Sequence, residues 1–411
     1  MSFQQAISGL NAASKNLEII GNNVANSSTV GFKSSAAQFV DVFAASVSGS
    51  TSTDAGIGVS VGAIATDYSQ GGLSVTNNPL DCAINGTGFF QLEREGQTVF
   101  SRDGQFQIDA NGYLANAAGD RLEGYGVDGT ATVQASSSAQ PILISSSDIS
   151  PQPTSTVGVT ANLDSTKPAL DPTKFDATLP STYTSTTTAQ IYDSLGNAHT
   201  LSLFFLNSTS AINSWDVRAE LDGAGINGGA SVGSLVFKAS GAIDDTQTTL
   251  PMTISLTMGG GADSPQALDI GFAGTTQFGA AFGVTAINQD GYASGKLLGL
   301  NIGADGLIQG RYSNGQSRPQ GQIALASFSD VQGLQFLGNN AWAATRKSGQ
   351  PVTGAPGSGT LGSIQSGALE QSNVDLTSAL VEMITAQRTY QANAETIKTQ
   401  DALLQTMVSL R

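Results

Sequence analysis

The chain of 411 residues carries 17 basic against 32 acidic side chains, a net charge of −15, and its length suits two or three compact units. A chain of that sign repels phosphates, which makes nucleic acid and anionic lipid poor partners, and no apolar run approaches the ~18 residues of a membrane span, so no membrane insertion is expected. One cysteine, Cys82, and one histidine, His199, exclude an intramolecular disulfide and any multi-histidine metal site, while 49 glycines, 12% charged residues and a hydrophobic share of 39% favour tight turns, polar strands and small cores.

The first predicted element is a helix over residues 2 to about 25. Phe3, Ile7, Leu10, Leu17 and Val24 fall on alternating steps of four and three, with Ser14 and Gly21 as weak positions and Ala6, Ala13 and Ile20 widening the stripe. Ser2 and Gln5 have capping-box spacing, and Gly21-Asn22-Asn23 weakens the pattern at the far end. The start MSFQQAISGL lacks a basic n-region, a long apolar h-region and a small-residue cleavage site, so no Sec signal peptide is expected. Either the protein stays in the cytoplasm or it leaves by a route that keeps its N-terminus. Residues 31–72 read as an extended connector, small and polar, with one apolar island at Phe39-Val40-Asp41-Val42-Phe43.

From residue 73 the texture is β. LDCAINGTGFFQLE alternates around Asn85-Gly86, and short strands follow between Asp103-Gly104, Asn111-Gly112 and Gly119-Asp120. Such dipeptides supply the positive φ that tight hairpins need. A Ser/Thr/Pro shift near 146 marks a boundary, after which IYDSLGNAHTLSLFFL reads as strand, Gly196-Asn197 turn and strand. Near Asn288 the first texture returns and continues through Trp342. The division expected is a split middle β domain over 73–145 and 286–348, an inserted outer β domain over 146–285, and a second extended connector over 349–367.

A second helix is expected to open at Ser372, with Asp375 at the capping-box position, and to run to about Leu410. Its apolar rhythm is Leu376, Leu380, Met383, Tyr390, Ile397, Leu404 and Val408, with Gln387, Ala394 and Asp401 filling the intervening steps. At about 57 Å it exceeds what a small domain can cover. Val381, Ile384, Leu403 and Met407 continue the apolar surface off the seam, as Ile19 does on the first helix. A helix sticky on more than one side packs among several neighbours, whereas a private helical hairpin within one chain is the alternative. The terminal helical domain is then 1–30 with 368–411. The fold class is mainly β with long terminal α-helices paired as a coiled coil.

The chain offers no convincing catalytic constellation. His199 follows a hairpin turn with no Cys or second His to complete a reactive set, which suits a turn-proximal strand residue better than a general base. Cys82 occupies an alternating position in LDCAI, where a small apolar residue suits a core. Asp103, Asp109, Asp290 and Asp305 each lie beside turn residues, without the spacing of a Ca²⁺ loop. No phosphate-cradling glycine motif is present. Neither cofactor nor metal is expected, and the protein is not expected to be an enzyme.

SGLNAASKNLEIIGNNVANSSTVGFKSS and GALEQSNVDLTSALVEMITAQRTYQANAETIKTQDALLQTMVSLR resemble the terminal signatures of bacterial flagellar axial proteins of the rod and hook. LDCAINGTGFFQL, FSRDGQFQIDANGYL, IYDSLGNAHTLSLFF, NQDGYASGKLLGL and LGNNAWAAT narrow the resemblance to the hook family. It covers nearly the whole chain, most loosely at 44–65 and 216–285. One departure is Cys82, where the family more often has Val, which introduces a thiol able to react in an oxidising medium.

The resemblance implies a flexible helical tube of identical subunits, a universal joint between rod and filament needed for motility. Terminal helices would form its inner tube, with the assembly seam on Phe3, Ile7, Leu10, Leu17, Val24, Leu376, Leu380, Met383, Tyr390, Ile397, Leu404 and Val408. Its partners would be further copies of the chain, the distal rod, hook cap and hook–filament junction proteins, and the flagellar type III export apparatus. Location would be extracellular, in the flagellum, without a cleaved signal peptide. Phe39 and Phe43 match a Phe-x-x-x-apolar pattern associated with the export gate, and equally suit a core anchor. A distal rod subunit is the nearest alternative, set against the inserted unit and the YDSLGNAH block. A secreted Gly/Ser-rich adhesin lacks a visible signal or anchor. A glycosidase gives no reason for heptads at both ends.

Overall fold

Helix α1 (Ser2–Ala25) forms where the heptad rhythm predicts it. Helix α2 (Leu376–Ser409) begins later than Ser372. Asp375 caps it directly, its Oδ1 accepting the N–H groups of Thr377 at 2.9 Å and Ser378 at 3.1 Å. Ser372 instead takes the Val374 N–H just upstream, at 3.3 Å. A carboxylate both satisfies the orphan donors and complements the helix dipole, so it outcompetes the serine. Gln5 Nε2 donates to the Gly56 carbonyl at 2.6 Å, and the Ser2 side chain of the expected capping box lies outside the described residues. Gly9 lies against Asn393 while Ile20 packs with Ala379 and Ala386, so the two helices run antiparallel. This computed structural model describes residues 2–42, 56, 58–128, 133 and 138–409.

Much of what reads as connector is paired strand. β1 (Ser35–Val42) and β2 (Gly58–Thr66) form an antiparallel pair with a bulge at Gln38/Phe39. β3 (Leu73–Val75) pairs with residues 368–370, and β4 (Cys82–Asn85) with residues 363–366. Segments that follow α1 and precede α2 are thereby tied to each other.

Two compact units result. The first draws on residues 1–146, 299–311 and 317–411, the second on 147–298 and 312–316. Within the first, β5 (Phe89–Arg94) and β6 (Gln97–Ser101) sit mid-sheet. Across the main path the order is 297–302, 307–312, 317–323, 121–125, β5, β6, 341–343 and 335–338. Strands from before and after the second unit therefore interleave in one sheet. Phe90 pairs opposite Leu325, and Trp342 opposite Phe100. Phe89, Phe100, Ala326 and Trp342 make a buried cluster with Tyr68 and Phe328 at its edge. Its rings meet edge to face, with centroids 5.8 Å apart for Phe89–Trp342 and 4.8 Å for Phe100–Phe328.

Gly112 takes the left-handed φ (+88°) that its turn requires. Gly104 serves a different purpose: a Cβ there would lie 1.6 Å from the Cys82 carbonyl oxygen, so only glycine lets these two backbones approach.

The second unit contains two five-stranded sheets. Residues 252–256, 266–271, 156–164 and 276–278 run in that order in one, with 283–289 also on 156–164. The other is ordered 185–192, 198–207, 214–221 and 224–225, with 233–236 also on 214–221. Alternating side chains from both sheets, among them Leu163, Leu203, Phe205, Trp215, Leu268 and Phe272, share one core, as in a sandwich. Trp215 finds a partner for its indole N–H in Gln277 Oε1 at 2.9 Å.

Candidate assembly surface

The helix pair closes along small residues. Ala6, Ala12, Ala13, Ile19 and Ile20 are buried on α1, Ala379 and Ala386 on α2. Leu17, Val24 and Met383 from the expected seam pack around Ile20, Ala379 and Ala386. Leu10 and Ile397 are half-buried. Phe3, Ile7, Leu376, Leu380, Tyr390, Leu404 and Val408 remain exposed, from 37% at Tyr390 to 76% at Val408. Val381, Ile384 and Leu403 are exposed as well. Large side chains thus stay outside while alanines and Gly9 let the backbones close. A Cβ on Gly9 would come within 2.9 Å of Asn393 Oδ1. Phe39 is exposed on β1, whereas Phe43 and the Met407 side chain lie outside the described residues.

An open groove of about 680 Å³ runs between α1, α2 and the β1–β2 pair, its lining including Gly9, Ala12, Ala36, Phe39, Val381 and Ala386. The pair is held to α1 by polar bonds. Asn23 Nδ2 donates to the Ser35 carbonyl at 2.7 Å, the Ser35 N–H donates to Asn23 Oδ1 at 3.0 Å, and the Val59 N–H donates to Ser8 Oγ at 3.2 Å.

Below the helices sits a buried ionic knot. Glu370 Oε1 lies 2.6 Å from Lys33 Nζ and its Oε2 lies 3.0 Å from Arg102 Nη1, with all three side chains at most 5% exposed. Lys33 also donates to the Ser69 carbonyl at 2.6 Å, and Arg102 Nη2 to that of Gly86 at 2.8 Å. The Gly71 N–H donates to Glu370 Oε1 at 2.9 Å, and the Gly31 N–H to the Glu370 carbonyl at 2.8 Å. Burial pushes the Lys33 ammonium below its ordinary pKa and does the same to Arg102, with Glu370 opposing both shifts. One carboxylate therefore serves two cations from segments far apart in sequence. The only local signals were an isolated Lys in GFKSS and an isolated Glu in GALEQ, and neither names its partner.

The residues weighed for chemistry have structural roles. Asp109 Oδ1 accepts the N–H groups of Asn111 and Tyr113, each at 2.8 Å, and Asp305 Oδ1 accepts that of Leu307 at 3.1 Å. Asp103 Oδ1 accepts the Gln105 N–H at 3.1 Å, and Asp290 Oδ1 the Ser155 N–H at 2.8 Å. Cys82 is fully buried, and burial, reinforced by Asp81, pushes its thiol up to about 12. That burial matches the core position which the alternation in LDCAI predicts, and a dry strand position disfavours the thiolate that oxidation would need. Maleimide labelling at pH 8 is expected to leave the native chain unmodified and to label it within minutes in 8 M urea (roughly full denaturing strength). Rapid native labelling would contradict that placement. Among the described residues no group of three or more His, Cys, Asp or Glu is set to hold a metal ion, and no helix is long and apolar enough to cross a membrane.

His199 bridges two carboxylates in the second unit, Nδ1 lying 2.6 Å from Asp222 Oδ2 and Nε2 3.4 Å from Asp193 Oδ2. The Asp222 hydrogen bond, against a smaller cost of burial, raises the imidazole pKa above its ordinary 6.5. A raised folded pKa means stabilisation fully present below the unfolded value and lost as pH climbs through the folded one. Unfolding of the second unit should therefore become easier as pH rises from about 6.5, and His199→Gln should flatten that slope. Nuclear magnetic resonance titration of the sole imidazole checks it; a pKa at or below 6.5 would contradict the bridge.

Four stretches of the chain match known families. Residues 3–33 match the family described as flagella basal body rod protein, 83–162 the flagellar hook protein FlgE/F/G D1 domain, 162–292 the flagellar basal body protein FlaE D2 domain, and 365–410 the flagellar basal body rod FlgEFG protein C-terminal. Over 418 aligned residues the chain is 41% identical to flagellar hook protein FlgE of Salmonella typhimurium (strain LT2), with 100% of both chains covered. It is 40% identical to FlgE of Escherichia coli (strain K12), again over 100% of both, and 33% identical to FlgE of Treponema pallidum (strain Nichols), over 100% of this chain and 99% of the other. In fold it is similar to the crystal structure of Helicobacter pylori flagellar hook protein FlgE2, with a TM-score of 0.52 at 14% identity, over 72% of this chain and 100% of that one.

Proposed function

The chain belongs to the flagellar hook protein family, and from that premise we propose that its exposed helical faces are the contacts through which identical subunits build the hook. It is a structural protein of the flagellum, external to the cell, and works in motility. The observation that carries the assembly reading is the unpartnered apolar surface of α2. Leu376, Leu380, Ile384, Leu403, Leu404 and Val408 stand exposed on a helix whose partner covers Ala379, Met383 and Ala386. At ~25 cal/mol per Å² of apolar surface removed from water, covering these side chains is the main source of polymerisation free energy. Contacts that join two different faces head to tail do not close on themselves and so extend as a helix.

In this reading the terminal helices make the inner wall, the interleaved sheet the middle layer and the inserted sandwich the outer one. Phe3, Ile7, Leu10, Leu17 and Val24 join the α2 residues in the seam. Outer surfaces rich in Ser, Thr, Asn and Gly meet through wet contacts that slide between near-equal arrangements as the hook turns. The distal rod, hook cap and hook–filament junction proteins are its axial neighbours. Export is through the flagellar type III apparatus without a cleaved signal, with Phe39 and Phe43 as its gate contact. No chemistry is catalysed. Negative-stain electron microscopy after raising salt and concentration tests the reading, comparing the full chain with one lacking residues 1–25 and 376–411. Tubes from the first and none from the second are expected. Tubes from both would remove the helices from the assembly.

A further inference from the structure

We propose that the groove between α1, α2 and the β1–β2 pair receives the last turns of α2, residues 401–408, from a second copy of this chain. The proposal rests on the assembly reading and names which surface meets which. Helix register comes first. Gly9 stands opposite Asn393 and Ile20 beside Ala379 and Ala386, so the start of α1 is abreast of about residue 400 at 1.5 Å per residue. Beyond that point α2 has no partner among the described residues, and every described side chain from 401 to 408 is exposed.

The chemistry of the two surfaces matches. Residues 401–408 (DALLQTMV) hold a single charge, Asp401 at their near end, and Leu403, Leu404 and Val408 are more than half exposed. Glu382 is the only charged residue lining the groove, whose floor of Gly9, Ala12, Ala13 and Ala386 is walled by Phe39 and Val381. Small residues at the floor let a third helix approach as ridges enter grooves. A volume of about 680 Å³ is of the order that encloses most of a drug-sized molecule, and so admits the paired leucines of an incoming helix.

Residues 401–408 cannot fill the groove of their own chain. On α2 the lining spans Val381 to Asn393, and the last turns continue the same helix beyond it. Those turns therefore fill a groove only in trans. Because projecting end and groove are different surfaces, each subunit offers one of each, and the contact propagates in one direction.

Cysteine cross-linking tests the pairing. In a Cys82→Ala background, Thr385→Cys sits in the groove and Ala402→Cys on the projecting turns, both at exposed positions. Mild oxidation of assembled tubes of the double variant is expected to give a ladder of covalent multimers, and an equal mixture of the two single variants dimers only. A control pair, Ser378→Cys with Ala402→Cys, is expected to give at least tenfold less. Tubes without a ladder, or a disulfide closed within one chain, would overturn the docking while leaving assembly standing. Wild-type chain that forms no tubes would overturn the assembly reading itself. Should the cysteine pair block tube formation, Thr385→Trp plugs the same groove. Loss of tubes with an unchanged monomer melting temperature is expected, and unaltered tubes would overturn the proposal.

Discussion

Glu370→Ala is expected to destabilise the first unit by about 3–5 kcal/mol, the range for leaving buried charges uncompensated. Whole domains hold only about 5–15 kcal/mol. Two cations depend on this one carboxylate, and neither Lys33 nor Arg102 can turn to water from positions at most 5% exposed. The Gly71 N–H loses its acceptor in the same step. Urea unfolding, with hydrogen exchange read separately in the two units, should show the loss confined to the first. Glu370→Gln should be milder, since an amide still accepts one hydrogen bond. Glu395→Ala removes the same charge from the exposed pair with Lys398 and should leave unfolding unchanged. If Glu370→Ala proved as mild as Glu395→Ala, the knot would not be what fastens the chain ends.

Leu380→Asp and Leu404→Asp are each expected to abolish tube formation at concentrations where the wild-type chain polymerises. Both side chains are exposed in the single subunit, so the monomer should melt within a degree or so of wild type. Within a tube each substitution buries a carboxylate without a partner, at about 3–5 kcal/mol per contact. With a factor of ten for every 1.4 kcal/mol, the critical concentration should rise by about two to three and a half orders of magnitude. Sedimentation across a concentration series measures it directly. Normal tubes from both variants would remove α2 from the seam.

These two predictions differ in how far the sequence alone reaches them. Leu380 and Leu404 stand out by spacing, because a heptad is a local pattern. Yet only part of that rhythm serves the contact within the subunit, where Leu17, Val24 and Met383 pack around Ile20, Ala379 and Ala386 while Leu380 and Leu404 stay exposed. Alanine contributes little area but sets how near two helix axes come. The stretches 31–72 and 349–367 read as connectors because their strands are rich in Ser, Thr, Ala and Gly and weakly apolar. β1 and β2 pair with each other, but residues 363–366 pair with β4, far away along the chain, and no local window contains both. Lys33, Arg102 and Glu370 were invisible for the same reason. Turn residues fared better, as Gly112 and Asp109 depend on their immediate neighbours, although Gly104 looked like a turn and proved to be a backbone crossing.

The span of the knot also sets an order of events in time. Lys33 and Glu370 are 337 positions apart, and closing so long a loop costs roughly 3 kcal/mol more in chain entropy than closing one of ten residues. Contacts of that range form late in folding and slow it. The sandwich at 147–298, whose pairings are internal to it, can condense first and bring the two flanks of the sheet near each other. Only when Glu370 is in place do Lys33 and Arg102 gain their carboxylate, so the base under the helices is expected to lock last, after the sheet it fastens has formed.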